Sequence, residues 1–264
     1  MPHLQFRVLG CGTSTGVPMP GCDCSVCQSN DPKNYRSRPS ALITVDNKYN
    51  ILIDATTDLR QQSLTWKIKH IDAVLYTHAH ADHILGTDDL RCFNFTSKSK
   101  QKIPCYASLD TIKGIKRCFD YIFNPDPNYL GGMLAQLDLI EINNYSTINL
   151  FGLNIEVFEL HHGGTIVNGF KFGDLAYATD CKIIPEQSKK IIKGIKYLIL
   201  DGLRHTAHAT HLTISEACNL AKELEIQNTF LTHITHDIDY YTESKNLPKN
   251  VALAYDGMSI EFDI

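Results

Sequence analysis

Short runs of apolar and β-branched residues, separated by turn residues, recur along the whole chain. Such runs, with apolar and polar positions alternating, are typical of strands. They predict four strands in the first third of the chain, over residues 4–9, 41–45, 50–53 and 71–76. Seven later strands are predicted over residues 137–142, 153–160, 169–172, 175–178, 196–200, 229–231 and 258–262.

Longer segments carry the features of helices, over residues 56–65, 110–121, 185–192 and 213–224. Pro185 suits a first helical turn, where its missing N–H is not needed. Thr213 and Glu216 form a capping-box pattern ahead of apolar residues at helical spacing. Prolines and glycines over residues 124–132 predict an irregular loop. Helices mixed with hairpins favour a layered α/β fold.

Composition narrows the class of protein. The chain has 264 residues, 43% hydrophobic content and a formal net charge of -4. It contains no apolar run of about 18 residues and begins without a secretory signal, so we expect neither a membrane span nor export. The chain has nine cysteines, an odd count, and three of them cluster at residues 22–27. The other six are scattered through predicted regular segments and are expected to be reduced thiols in the cytoplasm. The negative charge argues against a nucleic-acid partner, whereas metals could supply positive charge locally for a small phosphorylated substrate.

A histidine-rich run follows the predicted strand over residues 71–76, and it reads Thr77-His78-Ala79-His80-Ala81-Asp82-His83. Three imidazoles and one carboxylate suit a transition metal with nitrogen and oxygen ligands. The histidines at i and i+2 can reach one ion, and the Asp-His pair beyond them can turn towards a second. A surface loop that happens to be rich in histidine is the alternative, but the buried strand before the run argues against it.

Three residues far along the chain offer further ligands. His162, Asp180 and His233 each follow a predicted strand. Singly, each is more typical of a cap or turn, but together they have the organisation of a binuclear site. Because candidate ligands lie at both 78–83 and 162–236, we predict that residues 1–264 fold as a single domain around one site.

The histidine run resembles the H-x-H-x-D-H motif of the metallo-β-lactamase superfamily, and the resemblance covers nearly the whole chain. The run GCGTSTGVP at residues 10–18, followed by Cys22, Cys24 and Cys27, resembles the PhnP-like branch of that superfamily. The resemblance implies a four-layer αββα sandwich with a small N-terminal zinc-binding loop over residues 22–27. The namesake of the branch is a phosphodiesterase that acts on 5-phosphoribosyl 1,2-cyclic phosphate.

The resemblance also implies a ligand set. It places His78, His80 and His162 on one metal, Asp82, His83 and His233 on the other, and Asp180 between them. His161 is adjacent to His162 and could replace it. Two metals about 3.5–4 Å apart would share a water, activate it as hydroxide and hold a phosphoryl oxygen for in-line attack. The ligands accept Zn²⁺, Mn²⁺ or Fe²⁺.

The cysteines at 22, 24 and 27 supply three soft ligands in one short loop. Structural zinc takes four ligands, a disulfide across so short a loop would be strained, and an iron–sulfur cluster would need a fourth cysteine. The resemblance supplies His236 as the fourth ligand of one structural zinc. Three unliganded thiols in a turn are the alternative.

Proton transfer and phosphate binding have several candidates. The resemblance implies that His211 lies outside the metal shell, where it contacts phosphate and can protonate the leaving oxygen. Imidazole suits this role because its pKa lies near working pH. A capping histidine is the alternative, and His208 is the second candidate acid. Four further residues could contact phosphate but are more typical of structural ion pairs and hydrogen bonds, namely Arg36, Arg38, Arg91 and Asn94.

The leading hypothesis is metal-dependent hydrolysis of a small, cyclic phosphodiester. The alternatives are a tRNA 3′-processing endonuclease, a lactonase or thioesterase, and a non-hydrolytic cofactor-biosynthesis protein. The endonuclease needs a basic tRNA-binding arm, which we do not find. The cofactor-biosynthesis proteins of this fold lack the full ligand set that this chain has. A di-iron redox protein is disfavoured because that branch has Glu where this chain has His80. The sequence leaves the substrate, the metal and the oligomeric state open, a homodimer included.

Overall fold

The computed structural model describes residues 2–96 and 101–264. In the first part of the chain the strands are β1 (His3–Gly10), β2 (Ser40–Val45), β3 (Tyr49–Ile53), β4 (Ala73–Leu75), β5 (Ile103–Ala107) and β6 (Leu137–Glu141). In the second part they are β7 (Thr147–Leu150), β8 (Leu153–His162), β9 (Thr165–Phe172), β10 (Leu175–Ala178), β11 (Tyr197–Asp201), β12 (Asn228–Thr232), β13 (Val251–Leu253) and β14 (Ser259–Asp263).

The helices of the described residues are short. They are α1 (Leu59–Thr65), α2 (Ala81–Ile84), α3 (Arg91–Thr96), α4 (Leu109–Cys118), α5 (Asp120–Phe123), α6 (Glu186–Ile192), α7 (Ile214–Glu223) and α8 (Tyr240–Ser244). Two 3₁₀ turns cover Pro32–Asn34 and Thr87–Leu90. Within the described ranges, none of these helices has the length and apolarity needed to cross a membrane.

The strands form two seven-stranded sheets packed face to face. One has the order β14-β1-β2-β3-β4-β5-β6 and the other β13-β12-β11-β10-β9-β8-β7. The core between them draws on alternate residues of both sheets, so that Phe6 of β1 meets Tyr177 of β10 at 6.1 Å between ring centroids. Two outer cores lie under the helices; Leu52 and Ile115 belong to one, and Leu198 and Ala217 to the other. This is the αββα sandwich expected from the resemblance, and the prediction of fold class is confirmed.

The predicted elements differ from the structure mainly at their ends. The helix expected over 110–121 is interrupted at Phe119, whose φ of -121° and ψ of 43° are not helical, and α5 follows as a separate turn. The strands β5, β7 and β13 were not predicted; in β5, Pro104 is unusual within a strand. The capping box is present, since Thr213 accepts from the Glu216 amide and Glu216 accepts from the Thr213 amide.

Parallel pairing aligns the strand ends that carry the candidate site. β3, β4, β5 and β6 pair in parallel in one sheet, and β10, β11, β12 and β13 in the other. Because parallel strands end at the same edge of a sheet, residues that follow them are neighbours in space. Asp54, His78, Asp180, Asp201 and His233 all lie at or just beyond such strand ends.

Candidate metal centre

The histidine run leaves β4 and turns into α2. His80 occupies the N-cap position with extended backbone, and Asp82 and His83 lie in the helical turn that follows. Thr77, just before the run, is buried and donates its amide and its hydroxyl to the two carboxylate oxygens of Asp54, at 2.8 Å each. The start of the run is therefore anchored to the end of the neighbouring strand β3.

The seven predicted ligands form two overlapping groups. One group contains His78, His80, His162 and Asp180, and the other contains Asp82, His83, Asp180 and His233. In each group, one ligand-type atom per residue lies within 4.8 Å of all the others. Asp180 belongs to both groups, as a bridging carboxylate would.

The distances within the second group suit a metal. Asp180 Oδ1 lies 3.3 Å from His83 Nε2, and Asp180 Oδ2 lies 3.3 Å from His233 Nε2. Asp82 Oδ2 is 3.5 Å from each of the same two nitrogens. Four ligands at about 2.0–2.2 Å around a tetrahedral ion are separated from one another by about 3.3–3.6 Å.

The donor atoms themselves fit a metal. The Nε2 atoms of His78, His83 and His233 are buried without a hydrogen-bond partner among the described residues. Such atoms are costly unless something else satisfies them. For His83, the other ring nitrogen, Nδ1, lies 2.7 Å from Asp54 Oδ2, and His162 Nδ1 lies 2.8 Å from the carbonyl of Thr210. These bonds leave Nε2 of both rings free for a ligand, as the partners of metal-binding histidines commonly do.

Burial and charge shift the pKa values of these groups. Burial lowers the pKa of His78 well below its usual value, which keeps that imidazole neutral. Burial also lowers the pKa of His83 and His233, but the negative charges of Asp180 and the neighbouring carboxylates outweigh this effect. The pKa of His83 is therefore well above its usual value, and that of His233 rises to about 9. Conversely, the histidines overcome the effect of burial and hold the pKa of Asp180 well below its usual range. Metal binding to these groups must therefore release protons.

Three residues around the centre adopt left-handed backbone conformations that are rare outside glycine. The φ angles are 60° for Asp54, 51° for Asp180 and 60° for His233. Conformations of this kind cost on the order of 1–3 kcal/mol each and persist where the surrounding structure imposes them, often at functional sites. Each of the three lies one or two residues after a strand; Asp180 and His233 belong to the ligand groups, and Asp54 contacts His83.

His211 lies beside both groups. Its ring is 4.4 Å from that of His162 and stacks on His233 at 4.6 Å and 16°. Its Nδ1 is 2.7 Å from Asp201 Oδ2, and both residues are buried. Asp201, His211 and His233 also place ligand-type atoms within 4.8 Å of one another, but the bond to Asp201 occupies one nitrogen of His211 and orients the ring. This arrangement fits an oriented acid–base histidine.

His208 is on the same loop, 5.1 Å from the His211 ring, and is partly exposed. Its Nδ1 lies 3.2 Å from the hydroxyl of Thr210. Burial, followed by the nearby His211, lowers the pKa of His208, so it is mainly neutral near pH 7.

The structure separates the two adjacent histidines that the sequence left open. β8 runs through residue 162, so the two side chains point to opposite faces of the sheet. His162 points to the centre, whereas His161 Nε2 lies 2.6 Å from the Glu159 carboxylate.

The four further candidates for phosphate contact have structural partners. Arg36 is fully buried and donates to the carbonyls of Thr235 at 2.7 Å and Ile238 at 2.6 Å. Arg38 pairs with Asp58 at 3.0 Å, and Arg91 lies 3.4 Å from Asp88. Asn94 exchanges hydrogen bonds with the backbone of Gln136.

Sequence reasoning missed Asp54 and Asp201. Both orient histidines of the centre, His83 and His211 respectively. The signal was available, because each follows a predicted buried strand in the same way as the proposed ligands Asp180 and His233.

The cysteine loop forms a separate group with His236. Sγ of Cys22 and of Cys24 lie 3.3 Å and 3.4 Å from His236 Nδ1, and Cys27 completes four ligand-type atoms within 4.8 Å of one another. The amide of Cys27 and then His236 lower the pKa of Cys24 to about 6, which favours its thiolate. Desolvation raises the pKa of Cys27 to about 11. These residues could form a zinc site.

We expect Cys24→Ser to lose one tightly held zinc per chain, because a structural zinc needs its fourth ligand. Losing a structural zinc lowers the free energy of unfolding. Each kcal/mol of that free energy corresponds to about 2–4 °C in the melting temperature of a domain of about 150–250 residues, so we expect a fall of at least about 4 °C. Metal at the histidine groups should remain in the folded fraction. Elemental analysis and thermal unfolding measure these effects, with exposed Cys118→Ser as the control. Unchanged zinc content and melting temperature in Cys24→Ser would show that the loop binds no metal.

Comparison with known proteins identifies the family of the chain. A model of the beta-lactamase superfamily domain matches residues 49–234. A crystal structure described as a new diphosphatase from the PhnP family is 39% identical, with a TM-score of 0.91 and coverage of 99% of this chain and 98% of that one. Zn(2+)-bound PqqB from Methylobacterium extorquens has a TM-score of 0.77 at 20% identity, covering 98% and 100% of the two chains, which is a likeness of fold alone.

A longer protein is also similar. An octanoyltransferase of Porphyromonas gingivalis is 35% identical over 264 residues, and the match covers 98% of this chain. The same match covers 52% of the octanoyltransferase, so this chain spans about half the length of that relative.

Proposed function

We propose that this chain, which belongs to the metallo-β-lactamase superfamily and to its PhnP family, hydrolyses a small phosphodiester at a binuclear metal site. A cyclic phosphodiester is the proposed substrate. The observation that supports this most is the sharing of Asp180 by two groups of ligand-type atoms, together with the unpartnered Nε2 atoms of His78, His83 and His233. Two divalent ions bound there would supply Lewis-acid charge and an activated water.

The residues outside the metal shell then have defined tasks. Attack by water on phosphorus breaks the bond to the leaving oxygen, which needs a proton if it departs as an alcohol. His211 would donate that proton from Nε2, because its Nδ1 lies 2.7 Å from Asp201 Oδ2. The proton lost is regained from solvent, so the histidine is restored at the end of each cycle.

A second candidate substrate is a diphosphate. The PhnP-family relative at 39% identity is described as a diphosphatase, and the same centre can direct water at phosphorus whether the leaving group is an alcohol or a phosphate. Octanoyl transfer is less well supported, because that name belongs to a protein of which this chain spans about half.

We expect protein purified without chelator to contain about three metals per chain, two at the histidine groups and one in the cysteine loop, and to hydrolyse bis(p-nitrophenyl) phosphate. Chelation should abolish the activity, and Zn²⁺ or Mn²⁺ should restore it. Elemental analysis combined with a panel of phosphodiesters, 2′,3′-cyclic nucleotides, cyclic ribose phosphates and diphosphates tests the function and ranks the substrates.

An octanoyl thioester and a lactone are the matched comparison substrates, because an activated water can also attack carbonyl carbon. Faster hydrolysis of either one than of every phosphate compound would contradict the proposal. A reproducible maximum of one metal after reconstitution would contradict the binuclear site.

A further inference from the structure

The turn that follows β12 carries one histidine of each candidate metal site. His233 belongs to the histidine groups, and His236, three residues later, belongs to the cysteine loop. Both histidines leave the same strand, so a change in the path of the backbone over residues 233–238 would move both imidazoles. We term residues 233–238 the two-site turn.

Arg36 binds the backbone of the two-site turn at two points. Its Nη1 donates to the carbonyl of Thr235 at 2.7 Å, and its Nη2 donates to the carbonyl of Ile238 at 2.6 Å. Nη2 also donates to Asn34 Oδ1 at 3.0 Å, and the same oxygen accepts from the amide of Tyr240 at 2.9 Å. Thr235 lies between the two histidines in the sequence. The rigid, planar guanidinium therefore fixes the backbone where it passes from one site to the other.

The environment of Arg36 shows that packing alone does not explain its presence. The side chain is fully buried, and the three acceptors of its guanidinium are neutral oxygens. Its Nε is buried without a hydrogen-bond partner among the described residues. Removing a cation from water is unfavourable, and an apolar side chain of similar volume would often fill such a space at lower cost. Only a side chain with several donors, however, can satisfy two separate carbonyls of the turn at once.

The backbone of Arg36 joins the two-site turn to the N-terminal loop. Arg36 and Val17 exchange hydrogen bonds between their amides and carbonyls, both at 2.8 Å. Gly12 forms a parallel bridge with Ile234 of the turn. A β-carbon at residue 12 would lie 2.6 Å from the Arg36 carbonyl, so glycine permits this close approach. The segment that leads to the cysteine loop and the turn that carries both histidines are thus packed around Arg36.

We propose that Arg36 is a positioning residue for both metal sites, because it fixes the turn from which His233 and His236 project. It acts through the carbonyls of Thr235 and Ile238. Loss of the guanidinium therefore weakens metal binding at the histidine groups and at the cysteine loop together. For the histidine groups the inference rests on the proposed function, whereas the cysteine loop is independent of the reaction that the protein catalyses.

The test is competition between the protein and a chelator of known affinity for Co²⁺, with protein produced with Co²⁺ in place of its native metals. Co²⁺ bound to thiolates absorbs strongly in the near ultraviolet, which reports the cysteine loop. Elemental analysis of the total bound cobalt then gives the histidine groups by difference. Arg36→Met should raise the Kd for Co²⁺ at both sites by about 10- to 100-fold, the usual effect of losing a residue that orients a ligand. Arg36→Lys, which keeps the charge but lacks the planar fork, should give an intermediate rise at both sites.

The control for a loss of stability alone is Ile115→Ala. Ile115 lies in the outer core under α4 and is fully buried, so its truncation opens a cavity and should lower the melting temperature. It should change neither Kd in the folded protein.

Unchanged Kd values in Arg36→Met, with a melting temperature lowered as in Ile115→Ala, would overturn the inference. So would a rise at one site alone. If Arg36→Met does not fold, Arg36→Lys decides in the same way, and wild-type affinity at both sites would overturn the inference. Because the readout is metal affinity, a wild-type protein that binds metal at both sites and cleaves no phosphate compound would contradict the proposed function alone.

Discussion

Replacing Asp82 with alanine is expected to lower metal content and activity together, with activity falling more than about 100-fold. Asp82 Oδ2 lies 3.5 Å from Nε2 of both His83 and His233, so its removal leaves one proposed ion with three ligands, of which the shared Asp180 is the single carboxylate. Loss of a residue that only orients a ligand typically costs 10- to 100-fold in affinity or rate, and a direct ligand should cost more. Elemental analysis and hydrolysis of bis(p-nitrophenyl) phosphate, measured on the same preparation, give both quantities.

Two further aspartate variants give reference values for the loss of activity in Asp82→Ala. Asp54→Asn keeps the shape of a residue that holds His83 Nδ1 at 2.7 Å, and it should lose about 10- to 100-fold. Asp120→Ala removes an exposed aspartate on α5 and should have no effect. An Asp82→Ala protein with full metal content and wild-type activity would show that this carboxylate is not a ligand.

The second large effect is expected from His211→Ala, which should keep its metals and its fold yet lose about 10²- to 10⁴-fold in rate, the usual range for a general acid. The loss should be smaller for a nitrophenyl diester than for an alkyl diester, because p-nitrophenolate departs without a proton. The measurement is therefore the ratio of the two rates in wild type and variant. An equal loss on both substrates would leave His211 a binding residue, and loss of metal would place it in the coordination shell.

His208→Ala is the matched variant, since it removes a partly exposed histidine from the same loop at 5.1 Å from the His211 ring. We expect a smaller loss without dependence on the leaving group. If the rate loss instead depended on the leaving group in His208→Ala and not in His211→Ala, His208 would be the general acid.

The sequence by itself determined most elements of the fold and the identity of the candidate chemistry. Alternating apolar positions located β1, β2 and β3 to within one residue at each end, because burial of one face is a local, repeating property. The histidine run was equally readable, since four of the proposed ligands lie within six residues and a single turn brings them together. The sequence could not locate the break at Phe119, whose side chain is buried in one of the two outer cores.

Tertiary structure alone decided which distant residues face the centre. The sequence left His161 as a possible replacement for the predicted ligand His162, and the strand that continues through both assigns them to opposite faces. Asp54 reaches His83 because β3 and β4 pair in parallel and end at the same edge, which no local pattern encodes. Local sequence constrains only the relative positions of residues a few places apart. Contacts between distant residues, including the burial of Arg36 beneath the turn after β12, depend on the order and direction of the strands.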